Sequence, residues 1–374
     1  MRIAVVHEWL ASHAGSEKVV EQILQLYPEA DLFSLVDFLT PEQRHFIGHR
    51  AVNTSFIQGL PLARRAFRQY LPLMPLAVEQ FDLSAYDVVI SSNHAVAKGV
   101  LTAPHQLHVS YVHTPIRYAW DLQHQYLKQA GLERGPKGAI TRLILHYLRL
   151  WDTTSANRVD RFVANSRFIA KRIWRAYRRP ANVIYPPVDV SRFAWQHPRE
   201  NFYLTVSRFV PYKRVDLTVQ AFNQLELPLV VIGDGSDWKR ITAMAGDQIQ
   251  LLGHQPDDVV TDYMQRCKGF IFPAEEDFGI TPVEAQAAGA PVIAFGRGGV
   301  TETVIDGKTG VLFSEQTVDS LVQAVKSFEV GMHQLDHGAL RQQAERFSIE
   351  SFHSQFRACI EQTHTAFLHG DPLE

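Results

Sequence analysis

This sequence predicts an α/β protein built on doubly wound parallel sheets, divided into two domains. Three observations carry the prediction. Short apolar runs alternate with helical patterns along most of the chain. Several of those runs stop where a helix begins, with small or polar residues at the junction. The chain has 374 residues, 46% hydrophobic and 20% charged, which suffices for two cores.

Composition excludes several classes. A net charge of −2 exerts no general pull toward nucleic acid. Cys267 and Cys359 lie far apart, so neither a disulfide framework nor a cysteine metal cluster is expected, and a reducing compartment fits. The opening MRIAVVHEWL reads as a first strand and not as a signal peptide. Nothing approaches the roughly 18 apolar residues of a membrane span. The expectation is a cytoplasmic protein whose membrane contact, if any, is peripheral.

In chain order, residues 2–7 read as a buried strand. Ala14-Gly15-Ser16-Glu17 follows, then a helix patterned on Val19, Val20, Ile23 and Leu24. A strand, a small-residue loop and a helix start suit an anion, although a plain turn uses the same residues. Residues 32–36, 88–91, 109–112 and 162–164 are further strands, with helical patterns between them. His113 sits at the carboxyl end of the 109–112 run, ahead of Arg117-Tyr118-Ala119-Trp120-Asp121, a position that favours a site over a structural role. His45, His49, His105 and His108 lack metal-ligand spacing and read as surface or satisfied core residues.

Residues 158–179 carry eight basic side chains against one acid, Asp160. Ser166 caps a helix with Ile169, Ile173 and Tyr177 on its apolar face. The basic face is either simply solvated or attracted to anionic lipid, as are Arg64, Arg65 and Arg68 beside the apolar 71–76 stretch. Pro186-Pro187 cannot continue a helix or a central strand, which makes residues 182–200 a linker. The domains are therefore 1–185 and 186–351.

The second half opens with a strand at 202–206, then a loop with Arg208 and Lys213, then a helix at 216–225. Two basic residues on a strand-to-helix loop suit a pyrophosphate, Arg as a planar fork and Lys as a point charge. The next strand, 229–232, ends in Gly233-Asp234-Gly235. The third glycine of the dinucleotide fingerprint is absent, and Gly235 serves either a ligand approach or the turn itself. Residues 249–252 lead to Gly253-His254-Gln255-Pro256.

The chain is organised around residues 273–289, PAEEDFGITPVEAQAAG. They follow the buried run GFIF at 269–272. Thr281 reads as a helix cap, Pro282 as the first helical residue and Gly289 as the stop. Glu276 and Glu284 thus lie where open α/β sheets bind ligands. Glu284 reads equally well as half of a capping box. Gly296-Arg297-Gly298-Gly299 then allows N–H groups close to phosphate oxygens. Asp306-Gly307 reads as a hairpin turn, and helices follow at 318–328 and 348–367.

A Glu in an E-x-F-G turn with a second Glu eight positions on, here Glu276-Asp277-Phe278-Gly279 through Glu284-Ala285, resembles the signature of the retaining family-four glycosyltransferases. Arg208 with Lys213, and Gly298-Gly299 with Glu302, match further motifs of that family in the right order. The resemblance implies the GT-B fold: two Rossmann-like domains facing across a cleft, with the last helix, 352–374, packed back on the first. It implies a catalytic set of Glu276, His113, Arg208 and Lys213. The nucleotide sugar would also meet Gly235, Gly253, His254, Gln255, Phe278, Gly279, Ile280, Thr281 and Glu284, with Glu284 on the ribose. Gly15 and Ser16 would contact phosphate or acceptor, although Ala14 departs from the family's usual Gly-Gly. Arg117, Tyr118 and Asp121 would meet the acceptor.

The string HTPIRYAWD is similar to enzymes that move mannose from GDP-mannose onto bacterial surface polysaccharides. The expected partners are a nucleotide sugar and a glycan or lipid-linked acceptor, with no metal and no cofactor. A UDP- or dTDP-sugar donor, a sugar-nucleotide epimerase or phosphorylase on the same architecture, and a sugar-binding module without catalysis stand as alternatives.

Overall fold

A computed structural model describes residues 1–331 and 336–373. The end of the expected last helix at residue 374, and residues 332–335 of the expected second domain, lie outside the described residues. The chain divides into two compact units, Met1–Tyr185 with His353–Glu374, and Pro186–Phe352.

Among the described residues, the first unit holds a seven-stranded parallel sheet in the order β3-β2-β1-β4-β5-β6-β7. Its strands are β1 Ile3–His7, β2 Asp31–Ser34, β3 Val52–Thr54, β4 Val88–Asn93, β5 Leu107–Val112, β6 Arg161–Ala164 and β7 Asn182–Val183. β1, β4 and β5 are buried along their whole length, which is why each carries a short apolar stretch, with Ser91, Ser92, Asn93, His108 and Ser110 buried among them. The edge strands β3 and β7 have partly exposed, polar sequences that give no such signal. Residues 182–183 therefore belong to a strand paired with β6 and not to a linker. The strand order reverses between β1 and β4, so the carboxyl ends of these strands form the crevice where this topology takes ligands.

Two buried charges brace that crevice. Glu8, fully buried, accepts from the backbone N–H groups of His94, Ala95, Val96 and Ala97 at 2.8 to 3.0 Å. It caps the turn that follows β4. Lys98, also fully buried, lies 2.7 Å from Asp152 Oδ1 and donates to Ser155 Oγ at 2.8 Å. Asp152 Oδ2 accepts from Trp120 Nε1 at 2.7 Å, so neither charge is left without polar partners.

The second unit holds a six-stranded parallel sheet in the order β10-β9-β8-β11-β12-β13. The strands are β8 Tyr203–Val206, β9 Leu229–Ile232, β10 Ile249–Gly253, β11 Gly269–Phe272, β12 Val292–Phe295 and β13 Gly310–Phe313. Val219, Phe222, Val231, Ile271, Ile293 and Phe328 anchor its core. The order reverses between β8 and β11. Two local expectations are corrected. The turn at Asp306-Gly307 leads into β13, which runs parallel to β12, so there is no hairpin. The helix after β11 spans Ile280–Ala287 and is capped by Gly279 at φ 90°, a left-handed conformation that Thr281 would resist. Thr281 and Pro282 lie inside the first turn, and Glu284 is too deep in the helix to complete a capping box.

Candidate functional site

The switch between β8 and β11 collects the principal residues singled out in the second half. The loop after β8 carries Arg208 and Lys213, and the loop after β11 carries Glu276. Lys213 Nζ donates to the Glu276 carboxylate, with the two side chains only 16% and 17% exposed. Shielding from water strengthens such a pair. Arg208 is exposed, and its Nη2 donates to the Tyr212 hydroxyl at 3.4 Å. Glu284 Oε1 accepts from Arg192 Nη2 at 3.0 Å. Arg192, hidden in the expected linker, had no signal in the sequence.

Gly235, Gly298 and Gly299 sit against backbone atoms of neighbouring turns. A Cβ on Gly298 would lie 2.4 Å from the Glu276 carbonyl oxygen, and Gly298 has φ +79°. The Gly299 N–H donates to that same carbonyl at 2.8 Å. This loop thus grips the Glu276 turn, and the Gly299 N–H is not available to a phosphate. A Cβ on Gly235 would lie 2.4 Å from the Phe209 carbonyl oxygen, so the loop carrying Arg208 requires glycine there. Phe278 is buried and packs edge-on against Phe347 at 5.5 Å, while Gly279, Ile280 and Thr281 open the helix. Gly253 accepts from the Gly233 N–H at 2.8 Å, and Gln255 donates to the Leu252 carbonyl at 2.6 Å. His254 between them is exposed.

The β1–β4 switch of the first unit gathers His7, Glu17, Ser92, His94 and His113, of which the sequence reading assigned a role only to His113. His113 Nε2 lies 2.9 Å from Ser92 Oγ, and its carbonyl accepts from Asn165 Nδ2 at 3.0 Å. Burial, with His94 and His7 beside it, holds the His113 pKa well below the usual histidine value. Gly15 begins the helix Gly15–Leu26. Ser16 Oγ turns back to donate to Glu17 Oε2 at 2.9 Å, which occupies its hydroxyl proton. Tyr118 packs edge-on against Tyr126 at 6.0 Å, and Arg117 accepts at its carbonyl from the Leu122 N–H. Asp121 is ion-paired with Arg172, which ties an acceptor candidate to the basic helix Arg167–Tyr177.

Two parallel-sheet units of these topologies define the GT-B fold, the class to which the geometry assigns the protein. Residues 15–192 match the family model of Glycosyltransferase Family 4, and residues 188–337 match that of Glycosyl transferases group 1. The chain is 32% identical over 171 residues to an uncharacterized glycosyltransferase, MJ1178, of Methanocaldococcus jannaschii, covering 44% of this chain and 48% of that one. It is 25% identical over 280 residues to the alpha-1,3/1,6-mannosyltransferase alg2 of Schizosaccharomyces pombe, covering 61% and 52%. A GDP-mannose-dependent alpha-(1-6)-phosphatidylinositol monomannoside mannosyltransferase of Mycolicibacterium smegmatis is 29% identical over 170 residues, covering 37% and 44%. The chain thus spans about half the length of the curated relatives it matches. Among solved structures, Anabaena Alr3699/HepE in complex with UDP aligns with a TM-score of 0.71 at 17% identity, over 97% of this chain and all of that one. This supports the fold.

Proposed function

We propose that the protein is a glycosyltransferase that moves a sugar from a nucleotide-diphosphate donor to an acceptor hydroxyl with retention of configuration. The observation that carries the reading is the Lys213–Glu276 pair at the β8–β11 switch, with Arg208 on the same loop as Lys213. Departure of a nucleoside diphosphate develops negative charge, and two cations on one loop stabilise it electrostatically. Bound diphosphate would draw Lys213 away from Glu276, freeing the carboxylate to orient the donor sugar and face positive charge at the anomeric carbon. Glu284 takes the ribose hydroxyls and His113 a sugar hydroxyl. No metal or cofactor enters this scheme. The two mannosyltransferase relatives and the HTPIRYAWD segment favour GDP-mannose as donor, with a glycan or lipid-linked acceptor.

Peripheral contact with an anionic membrane belongs to the same proposal, through a further face beside the basic ones the sequence suggested. Arg158 is bonded to Glu79, Arg172 to Asp121 and Arg179 to backbone carbonyls, while Arg167, Lys171, Arg175 and Arg178 are exposed. Helix Gly135–Ser155 also exposes Ile140, Leu143, Tyr147 and Leu150 along one face. It carries Lys137, has no acid before Asp152, and bonds Arg142 and Arg149 to the Glu133 and Ala119 carbonyls. Flotation with anionic but not zwitterionic vesicles, lost in Leu143→Glu, is the expected result; equal behaviour with both vesicle types removes the membrane from the proposal.

A thermal-shift panel of GDP, UDP, dTDP and CDP, each with and without its common sugars, tests the main reading. A ligand at a hundred times its dissociation constant adds about 2.7 kcal/mol. Stabilisation by GDP and GDP-mannose alone supports the mannosyl donor, a shift with another nucleotide discards it, and no shift at all overturns the reading.

A further inference from the structure

Behind His113 lies a chain of polar side chains that the scheme above leaves unused. Ser92 Oγ, fully buried, is 3.1 Å from His7 Nδ1 and 2.9 Å from His113 Nε2. His7 Nε2 in turn faces Glu17 Oε1 at 3.6 Å. A hydroxyl has a single proton, so Ser92 donates to one imidazole and accepts from the other. Glu17 sets the direction. Its burial raises the carboxyl pKa, but the His7 side chain and the Ser16 hydroxyl outweigh that and bring it down to about 2. A lone pair on His7 Nε2 would be repelled by this carboxylate, so Nε2 carries the proton and Nδ1 accepts from Ser92. Ser92 then accepts from His113 Nε2–H. The lone pair of neutral His113 is left on Nδ1, which makes no hydrogen bond among the described residues.

We propose that His113, Ser92, His7 and Glu17 form a proton relay in which a proton taken up at His113 Nδ1 is held as an imidazolium on His7. This rests on the reading of His113 as the group that meets a sugar hydroxyl. The transfer balances without electrons. The proton binds His113 Nδ1, the Nε2 proton passes to Ser92 Oγ, and the Ser92 proton passes to His7 Nδ1. His7 Nε2–H stays beside Glu17, whose charge offsets the new cation. His113 itself stays neutral, held so by burial and by the neighbouring histidines. The titratable groups around this chain are Glu8 at the end of β1, His94 after β4, Tyr111 on β5 and Arg117 beyond β5. His94 is likewise kept neutral, mainly by burial, and so does not compete for the proton.

The test is a pH titration of the free, full-length protein with ¹⁵N-labelled histidine, read at the ring nitrogens by NMR. In wild type, acidification should give His7 its second proton while His113 inverts from the Nε2–H to the Nδ1–H tautomer in the same step. In Ser92→Ala, His7 should still take its proton and His113 should keep its tautomer. The proposal is overturned if wild-type His113 never inverts, or becomes an imidazolium before His7 does. Wild type alone decides the matter should Ser92→Ala not fold. The titration needs no nucleotide, so its failure is distinct from a failure to bind nucleotide in the thermal-shift panel.

Discussion

Lys213 and Glu276, 63 positions apart in the chain, form an ion pair where the order of the second sheet reverses. Each belongs to a different strand-end loop, so the parallel topology alone brings them together. A cation that neutralises the carboxylate in the free protein and turns to a diphosphate in the complex would link donor binding to release of Glu276.

Glu276→Gln keeps the shape of the side chain and removes its charge. Turnover should fall by about a hundredfold or more, the usual loss when one group facing transition-state charge is removed. Nucleotide affinity by calorimetry should stay within a few-fold of wild type. Unchanged turnover would exclude Glu276 from the reaction.

Gly298→Ala tests whether the glycine loop holds the Glu276 turn. The added Cβ meets the Glu276 carbonyl oxygen at 2.4 Å, and the residue must keep φ +79°. The variant should lose about 1 kcal/mol or more in urea unfolding, since alanine resists that conformation. It should also lose turnover; normal turnover in a destabilised protein would separate the loop from the site.

Glu8→Ala removes the acceptor of four backbone N–H groups in a dry environment. A loss of about 3 to 5 kcal/mol is expected, the scale on which a buried charged partner is missed. Glu8→Gln should lose less, because its amide oxygen still accepts. Denaturant melts of the three proteins check the order, and an Ala variant as stable as wild type contradicts the role of Glu8 as a cap.

Glu17 makes a pH prediction. Its carboxyl lies near 2 in the folded chain against an ordinary 4.5, so its stabilisation is fully present above 4.5 and disappears as pH falls toward 2. The shift corresponds to about 3 kcal/mol. The stability margin of wild type over Glu17→Gln, followed by urea unfolding, should shrink across that window. A margin that holds constant down to pH 2 would mean that Glu17 stabilises by packing alone.

The amino-acid sequence by itself made the two-unit α/β fold legible, because strands buried on both faces are rich in apolar residues and the helices between them keep their period. It also marked Glu276, Arg208, Lys213 and His113, since charged or titratable residues at a strand's carboxyl end break that apolar pattern visibly. What it left open was pairing. Edge strands such as Val52–Thr54 and Asn182–Val183 are too short and polar to announce themselves. The partners of Glu284, His113 and the β4–β5 turn were equally hidden. Arg192, Ser92 and Glu8 look like ordinary residues in their own segments. These pairings follow from the fold alone, because a hydrogen bond between residues 21 or 92 positions apart is set by strand order and not by any local spacing. The glycines follow the same logic. Local sequence showed that a turn was there, and the folded backbone showed that Gly298 and Gly299 leave room for the Glu276 turn itself.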